Sequence, residues 1–320
     1  MGVLQGQAIH VDRHLTNLAM NYRPQGFIAD MIFPIVRVPN QSDMIKTYLK
    51  NDLYRIDNDI RAPGAEANQI NFEVGSDNYY CRNYALKVPT TIEDRANADP
   101  IFVRDIEQGR VMFIQDKLHL GWENRISNQI SVTANVSTVF VVASAWTDYT
   151  NSRPLEDVWT AMDEQTDQTA YRPNRHVAGE QAWRSFSRNY QVINKVNGAA
   201  VDGGAKNATK LQAAALLEAD QMLVGAAFKS TAEEGITTAL SQFWADKWLA
   251  YYAPARPSVE VPSYGYTFRW AARGIANMTV ERHPFNTLKK SDEIEIGYYQ
   301  DEKLTDKTLG TLIDGVNSSQ

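Results

Sequence analysis

The sequence predicts an α+β fold, and three features carry that prediction. Strand-patterned segments at 44–87 and 258–320 bracket a helix-rich stretch at 155–257, and one long helix at about 100–131 separates the first strand region from the middle. The chain of 320 residues, 43% hydrophobic and 22% charged, is long enough for two compact units or one unit with large insertions.

Residues 1–43 are expected to form an arm. Apolar residues come in short groups, Leu15, Leu18 and Met20, then Phe27, Ile28, Ile32 and Phe33, while Pro24, Pro34 and Pro39 break any long helix. Such a segment runs extended over another surface and builds no core of its own.

From Met44 to Lys87 the pattern is that of strands. Ile70, Phe72 and Val74 alternate with Gln69, Asn71 and Glu73, and tyrosines recur at 48, 54, 79, 80 and 84. Pro63-Gly64 lies near the midpoint: proline presets the first corner of a turn and glycine accepts positive φ at the second, so Arg61 to Ala65 is the expected hairpin tip. Arms of ~20 residues at ~3.3 Å each reach roughly 60 Å, whereas a compact chain of this length has a radius of gyration of about 20 Å. A lone two-stranded ribbon is marginal in water and needs a partner surface. The residues expected to meet it are Asp52, Tyr54, Arg55, Asp57, Asp59, Arg61, Pro63, Gly64 and Glu66. The alternative is that the region folds back as ordinary sheet.

Asp99 suits a helix N-cap, Pro100 the first helical position, and Asp105 and Glu107 the positive end of the helix dipole. Val103, Ile106, Phe113, Leu120, Ile126 and Ile130 continue the pattern, with Ile106, Phe113 and Leu120 seven apart. A helix of ~30 residues is about 45 Å long, a stiff rod for sheets to lie on, with Gly109 and Gly121 as its weak points. Val136 and 139–142 read as buried strand or connector.

A second unit starts near Pro154. Leu155, Val158, Trp159 and Met162 mark a helix, 176–178 a short strand, and a helix from Glu180 carries Trp183 and Phe186. A loop with Gly198, Gly203 and Gly204 leads to a helix with Leu211, Ala214, Ala215 and Leu217, then strands at 222–224 and 244–252, before Pro254, Pro257 and Pro262 close the unit. Strands return at 278–282, 293–299 and 309–316.

Composition narrows function. No apolar run reaches the ~18–20 residues that span a bilayer, and Met1 to Gly6 has neither a basic start nor an apolar core, so neither secretion nor a membrane anchor is expected. Gly6 stands where myristoylation of Gly2 needs Ser or Thr. Cys81 is the single cysteine, which fits a reducing compartment and leaves stability to packing and association. A net charge of −6 argues against a dedicated duplex-DNA binder, yet suits the weakly repelling wall of a container.

Catalytic patterns are missing. There is no phosphate-binding GxxxxGK[ST] loop, no HExxH and no GxSxG elbow. His10 and His14, four apart, could meet on a helix but lack a third ligand, and His119, His176 and His283 are isolated. Cys81, between Tyr80 and Arg82, is expected half-buried and inert. Trp183, Trp244, Trp248 and Trp270 read as core or interface anchors. The expectation is no enzyme, no metal and no cofactor; a hydrolase with an inserted loop is the distant alternative.

The succession Ile28-Ala29-Asp30-Met31-Ile32-Phe33-Pro34, Arg61-Ala62-Pro63-Gly64-Ala65, Tyr80-Cys81-Arg82-Asn83-Tyr84-Ala85-Leu86, the Pro100 helix, Arg172-Pro173-Asn174-Arg175-His176-Val177 and Trp183 resembles the major capsid proteins of tailed bacteriophages. The resemblance covers most of the chain in order. It implies a shell subunit with an N-terminal arm (1–43), an extended loop (44–87), a peripheral domain with a spine helix (88–154, resumed at 258–320) and an axial domain (155–257). It further implies self-assembly in hexamers and pentamers into an icosahedral virion capsid around double-stranded DNA, formed in the host cytoplasm. Partners would be other copies, a portal, any scaffold or decoration protein, and DNA held by proximity without sequence-specific binding. Some members link neighbours through a lysine and an asparagine; Lys46 and Lys50 lie in the loop with no motif for a partner, so noncovalent linkage is expected. An encapsulin-like nanocompartment around a cargo enzyme is the alternative with the same fold.

Overall fold

The structure, a computed structural model, describes residues 10–11, 15–16, 19, 26–48, 54–64, 66–70, 74–97, 103–198, 207–232, 237, 239–271 and 278–317. Its elements run β1 (His10–Val11), α1 (Ala29–Ile32), β2 (Ile35–Val38), β3 (Ser42–Tyr48), β4 (Val74–Tyr80), β5 (Arg82–Thr91), α2 (Ile92–Ala96) and the spine helix α3 (Val103–Ile130). Next come β6 (Thr138–Val141), α4 (Pro154–Thr169), β7 (Arg175–Gly179), α5 (Glu180–Arg188), α6 (Tyr190–Asn197), α7 (Lys210–Leu216) and β8 (Gln221–Gly225). The chain then passes through β9 (Phe228–Ser230), β10 (Leu240–Gln242), β11 (Trp248–Tyr251), β12 (Gly265–Trp270), β13 (Thr279–Arg282), β14 (Ser291–Leu304) and β15 (Gly310–Asp314).

Two sheets organise the body. In the first, the 14-residue β14 is the common axis: β5 pairs along one edge from Ser291 to Gln300, while β13 and then β12 share the other, with β1 and β2 outside them. The second has the order β6-β15-β11-β7-β8. Its strands alternate faces at the two-residue period of a pleated sheet. Ala178, Met222, Val224, Trp248, Ala250 and Ile313 pack with the helices α4 to α7. Val177, Leu223, Leu249, Tyr251 and Leu312 face the other way, onto α1 and the end of the spine helix. A sheet covered on both faces has no spare apolar surface, which explains the near-continuous burial of its central strands.

The spine helix links the two sheets. Its buried stripe is Val111, Ile114, Leu118, Trp122, Ile126 and Ile130, a spacing of three or four residues that follows the 3.6-residue helical period. The expected seven-residue series is therefore not the core face: Phe113 is 56% exposed, with Lys117 over its ring. Neither Gly109 nor Gly121 interrupts the helix. Asp99 and Pro100, its expected start, lie outside the described residues.

Residues 27–38, expected to run as an arm over another surface, instead belong to this chain's own core. Ile28, Ile32, Phe33, Val36 and Val38 are buried, and β2 pairs in parallel with β12. Glu123 of the spine helix fixes them: its Oε2 accepts the backbone N–H of Ile28 (3.0 Å) and Ala29 (2.8 Å), and its Oε1 accepts Trp244 Nε1. One carboxylate thus joins the N-terminal segment, the spine helix and the corner before β11, and burial pushes its pKa up to about 7 against the pull of those three donors.

Other expectations are corrected locally. The final strand β15 lies inside the second sheet, between β6 and β11, so 258–320 does not return wholly to the first. Strand β11 is confined to Trp248–Tyr251, because Trp244 to Lys247 form a turn closed by Lys247 N–H to Trp244 O. Segment 138–141 is an edge strand with Val139 and Val141 exposed, not a buried one. His10 is in a strand, so it cannot face His14 on a helix; His14 lies outside the described residues.

Candidate assembly interface

The chain leaves the body as a hairpin between Ser42 and Tyr80. β3 and β4 pair antiparallel from Ser42 opposite Tyr80 to Tyr48 opposite Val74, a register centred on residue 61. The sequence placed the inner boundary at Lys87, but 82–91 is β5 of the first sheet. Ile70, expected in a strand, is exposed and outside β4; Phe72 lies outside the described residues.

The root of this hairpin is rigid. Ile45, Tyr79 and Cys81 are buried with Val36, Val38, Tyr266 and Phe268, and the Tyr79 ring stacks on Phe268 at 4.9 Å. β4 continues β5 alongside β14: Tyr80 N–H donates to Asp301 Oδ2 (3.0 Å), and Lys303 Nζ lies 2.5 Å from Asp77 Oδ1. Cys81, expected half-buried, is fully buried, with its Sγ 3.6 Å from Phe268 O. Burial, reinforced by the charge of Asp301, pushes the thiol up to about 11, so it is neither ionised nor accessible at neutral pH.

Beyond the root the hairpin is exposed. Tyr54 reaches back to the body, where its hydrogen bond, with burial, pushes Tyr171 up to about 12; the Tyr171 ring lies 5.0 Å from Tyr252. Arg55 Nε pairs with Asp57 at 2.8 Å. Asp59, Arg61 and Glu66 are exposed, and Pro63-Gly64 forms a turn in which Gly64 has φ +82°, the left-handed value that the sequence assigned to glycine here. Asn68 Nδ2 donates to Asn58 O at 2.6 Å and ties the two arms behind that turn. Asp52 lies outside the described residues, as does Lys50; Lys46 sits in the ladder opposite Ser76.

Most informative are residues the sequence reading passed over. Ile56 is 97% exposed and Ile60 78% exposed, two β-branched apolar residues left largely open to solvent. Their signal was present: isoleucines embedded in the polar run Arg55-Ile56-Asp57-Asn58-Asp59-Ile60-Arg61 have no structural use in a turn. The arrangement has no chemistry of bond making. It offers a stiffly rooted arm whose far end carries apolar groups and both signs of charge, suited to lying on another protein surface.

Three histidines have partners among the described residues. His119 stacks on Trp122, His283 Nε2 lies 2.7 Å from Glu295 Oε2, and His176 is buried, accepts from Trp248 Nε1 at 3.3 Å, and has its pKa lowered to about 3 by burial. Among the described residues no set of His, Cys, Asp and Glu side chains is arranged to hold a metal, and no helix is long and apolar enough to cross a membrane.

No protein-family model matches the chain. It is 23% identical over 318 residues to the major capsid protein of Burkholderia phage BcepMu, across 96% of this chain and 97% of that one. It is 24% identical over 311 residues to the major capsid protein of Pseudomonas phage JBD67, across 95% and 96%. A phage-related protein from Bordetella bronchiseptica RB50 superposes with a TM-score of 0.74 at 25% identity over 97% of this chain and 99% of that one. At the level of fold alone, the capsid of Cyanophage P-SCSP1u (TM-score 0.57, 9% identity, 91% and 89% covered) and the SrpI encapsulin of Synechococcus elongatus PCC 7942 (0.51, 12%, 90% and 87%) share the same architecture. The chain thus has the fold shared by phage capsid proteins and encapsulins, and is similar in sequence to two phage major capsid proteins along almost its whole length.

Proposed function

We infer that the protein is the major capsid protein of a tailed bacteriophage, a structural subunit that self-assembles into an icosahedral shell around double-stranded DNA. The observation that carries this reading is the hairpin: a rooted arm whose far end exposes Ile56 and Ile60 among residues of both charges. Similarity in sequence along the whole length is to phage capsid proteins, whereas the likeness to an encapsulin is one of fold, which favours a genome over a cargo enzyme as the content.

In this reading the peripheral unit is built on β14 and the spine helix, the axial unit on the second sheet, and the extended loop joins neighbours through Tyr54, Arg55, Asp57, Asp59, Arg61 and the Pro63-Gly64 turn, with Asp52 and Glu66 beside them. Linkage is noncovalent in this reading, since no motif supplies a partner for Lys46 or Lys50, and a subunit with several neighbours gains stability by multivalency even when each contact is modest. Assembly takes place in the host cytoplasm in hexamers and pentamers, with a portal at one vertex and DNA as a neighbour the shell does not read. Negative-stain microscopy of the purified protein tests this: closed particles of uniform size are expected, and a persistent monomer at high concentration overturns it.

A further inference from the structure

We propose that Glu123 is a proton-controlled clasp: on losing its proton it lets the first turn of α1 and the Trp244 corner come away from the spine helix while both sheets stay folded. This goes beyond the shell reading and does not depend on it.

Three parts of the chain far apart in sequence meet at this side chain. Glu123 lies fully buried in the middle of the spine helix. Its Oε2 accepts the N–H groups of Ile28 (3.0 Å) and Ala29 (2.8 Å), and its Oε1 accepts Trp244 Nε1. α1 has only four residues and no side-chain cap of its own at Ile28. A helix that short does not hold itself together, so the carboxyl of Glu123 supplies the cap from a distant part of the chain. The other end of α1 is tied to the second sheet, where Tyr251 OH donates to Ile32 O (2.9 Å) and Arg175 Nη1 to Met31 O (3.3 Å). Glu123 is thus a polar link from the spine helix to a segment that the second sheet already anchors.

Among the described residues no cation pairs with this carboxyl. Asp30 on α1 carries the same sign and adds to the cost of ionising it. On β7, Arg175 is turned to the far end of α1. On β9, Lys229 Nζ reaches Asn124 Oδ1 at 3.5 Å. In the corner, Lys247 pairs with Asp314, and Asp246 is again acidic. His119, one turn earlier on the spine helix, stacks on Trp122, and Arg269 lies over the same indole and donates to Gln300. Burial without a counter-ion therefore favours the protonated carboxyl and pushes its pKa up to about 7, where water would leave it at 4.5. An opening that wets Glu123 releases the proton. Opening then becomes about tenfold more favourable for each pH unit between those two values, and levels off above the higher one. Near neutral pH both forms of the closed clasp are populated, so small changes in pH act on it.

Hydrogen exchange of the dissociated full-length subunit tests this, read by mass spectrometry on peptides covering 27–33 and 292–300 and corrected for the intrinsic pH dependence of amide exchange. Local opening shows as protection at 27–33 that stays below that of β14. That protection is expected to fall about tenfold per unit from pH 5 to pH 7 and then to level off. Glu123→Gln, which cannot ionise, should remove the fall at 27–33. Trp244→Phe takes away one donor to the carboxylate, so it should move the fall to higher pH; it also serves if the glutamine variant does not fold. Protection at 27–33 that ignores pH, a fall that persists in Glu123→Gln, or a fall that moves to lower pH in Trp244→Phe overturns the clasp. Equal protection at 27–33 and 292–300 throughout would also overturn it, because the segment would then open only when the whole subunit unfolds.

Discussion

Arg125 of the spine helix forks onto Glu302 of β14, Nε to Oε2 at 3.1 Å and Nη2 to Oε1 at 2.7 Å, while its guanidinium lies 3.7 Å from the Tyr84 ring centre of β5. Burial alone would lower the pKa of Arg125, but the bonds and charge of Glu302 outweigh it and hold it above its ordinary value. Removing one partner strands the other charge in a site where Glu302 is nearly inaccessible. Arg125→Ala should therefore cost about 3–5 kcal/mol in chemical unfolding of the dissociated subunit. Arg125→Lys should recover only part of it, since an ammonium can neither fork nor stack in the same way.

Glu123 makes stability depend on pH with a definite sign. Its folded pKa, raised to about 7 by burial, exceeds the ordinary value of 4.5. The folded state therefore holds a proton that the unfolded chain releases, and the contribution is complete below pH 4.5 and lost as pH rises to about 7. The change is on the order of 3 kcal/mol. Denaturant midpoints measured across this window should fall with rising pH, and Glu123→Gln should flatten that slope. A slope unchanged in Glu123→Gln would mean another group titrates.

Gly179 and Gly225 leave room for the corner that Glu123 holds. A Cβ on Gly225 would stand 2.0 Å from Trp244 Cδ1, and one on Gly179 the same 2.0 Å from the Ala245 carbonyl oxygen. A ring can shift; a backbone carbonyl in a closed turn has less freedom. Gly179→Ala is expected to cost about 3 kcal/mol or more and to send the protein to inclusion bodies, with Gly225→Ala milder in a thermal melt.

Much of this architecture was legible in the sequence, and the failures have physical causes. The spine helix was visible from its length, yet its inner face was misassigned because Gln115, Glu123 and Ser127 are buried among the apolar residues. Polar residues on the core side and Phe113 on the solvent side cancel the amphipathic signal. The place of β15 could not be read, since a strand's own residues say how it alternates and not which sheet it joins. The Pro63-Gly64 turn was readable because proline and glycine constrain φ locally, whereas the root clamp of Asp301 and Lys303 lies more than 200 positions away from Asp77 in the chain.

Cys81 offers a check on the root. A fully buried thiol with its pKa pushed up to about 11 should not react with a disulfide reagent at pH 8 until the protein unfolds. Cys81→Ser places a hydroxyl where Sγ now faces the Phe268 carbonyl, an acceptor it can use, so the cost should stay near 1 kcal/mol and particle yield should hardly change. Rapid labelling of native particles would show the root to be open.

Deleting 52–71 separates the loop's two roles. The paired residues from Ser42 with Tyr80 to Tyr48 with Val74 remain, and so do Ile45, Tyr79 and Cys81 against Phe268. The shortened connection is still long enough to close a hairpin, which needs only about two to five residues. What is lost is mostly exposed surface, including Ile56 and Ile60, together with the single hydrogen bond of Tyr54 to Tyr171. The deletion should therefore keep the helical circular-dichroism signal and a melting transition within about 1 kcal/mol of the parent, yet yield no closed shells by microscopy. Normal particles from this variant would mean that the bodies hold the shell together and the hairpin is dispensable.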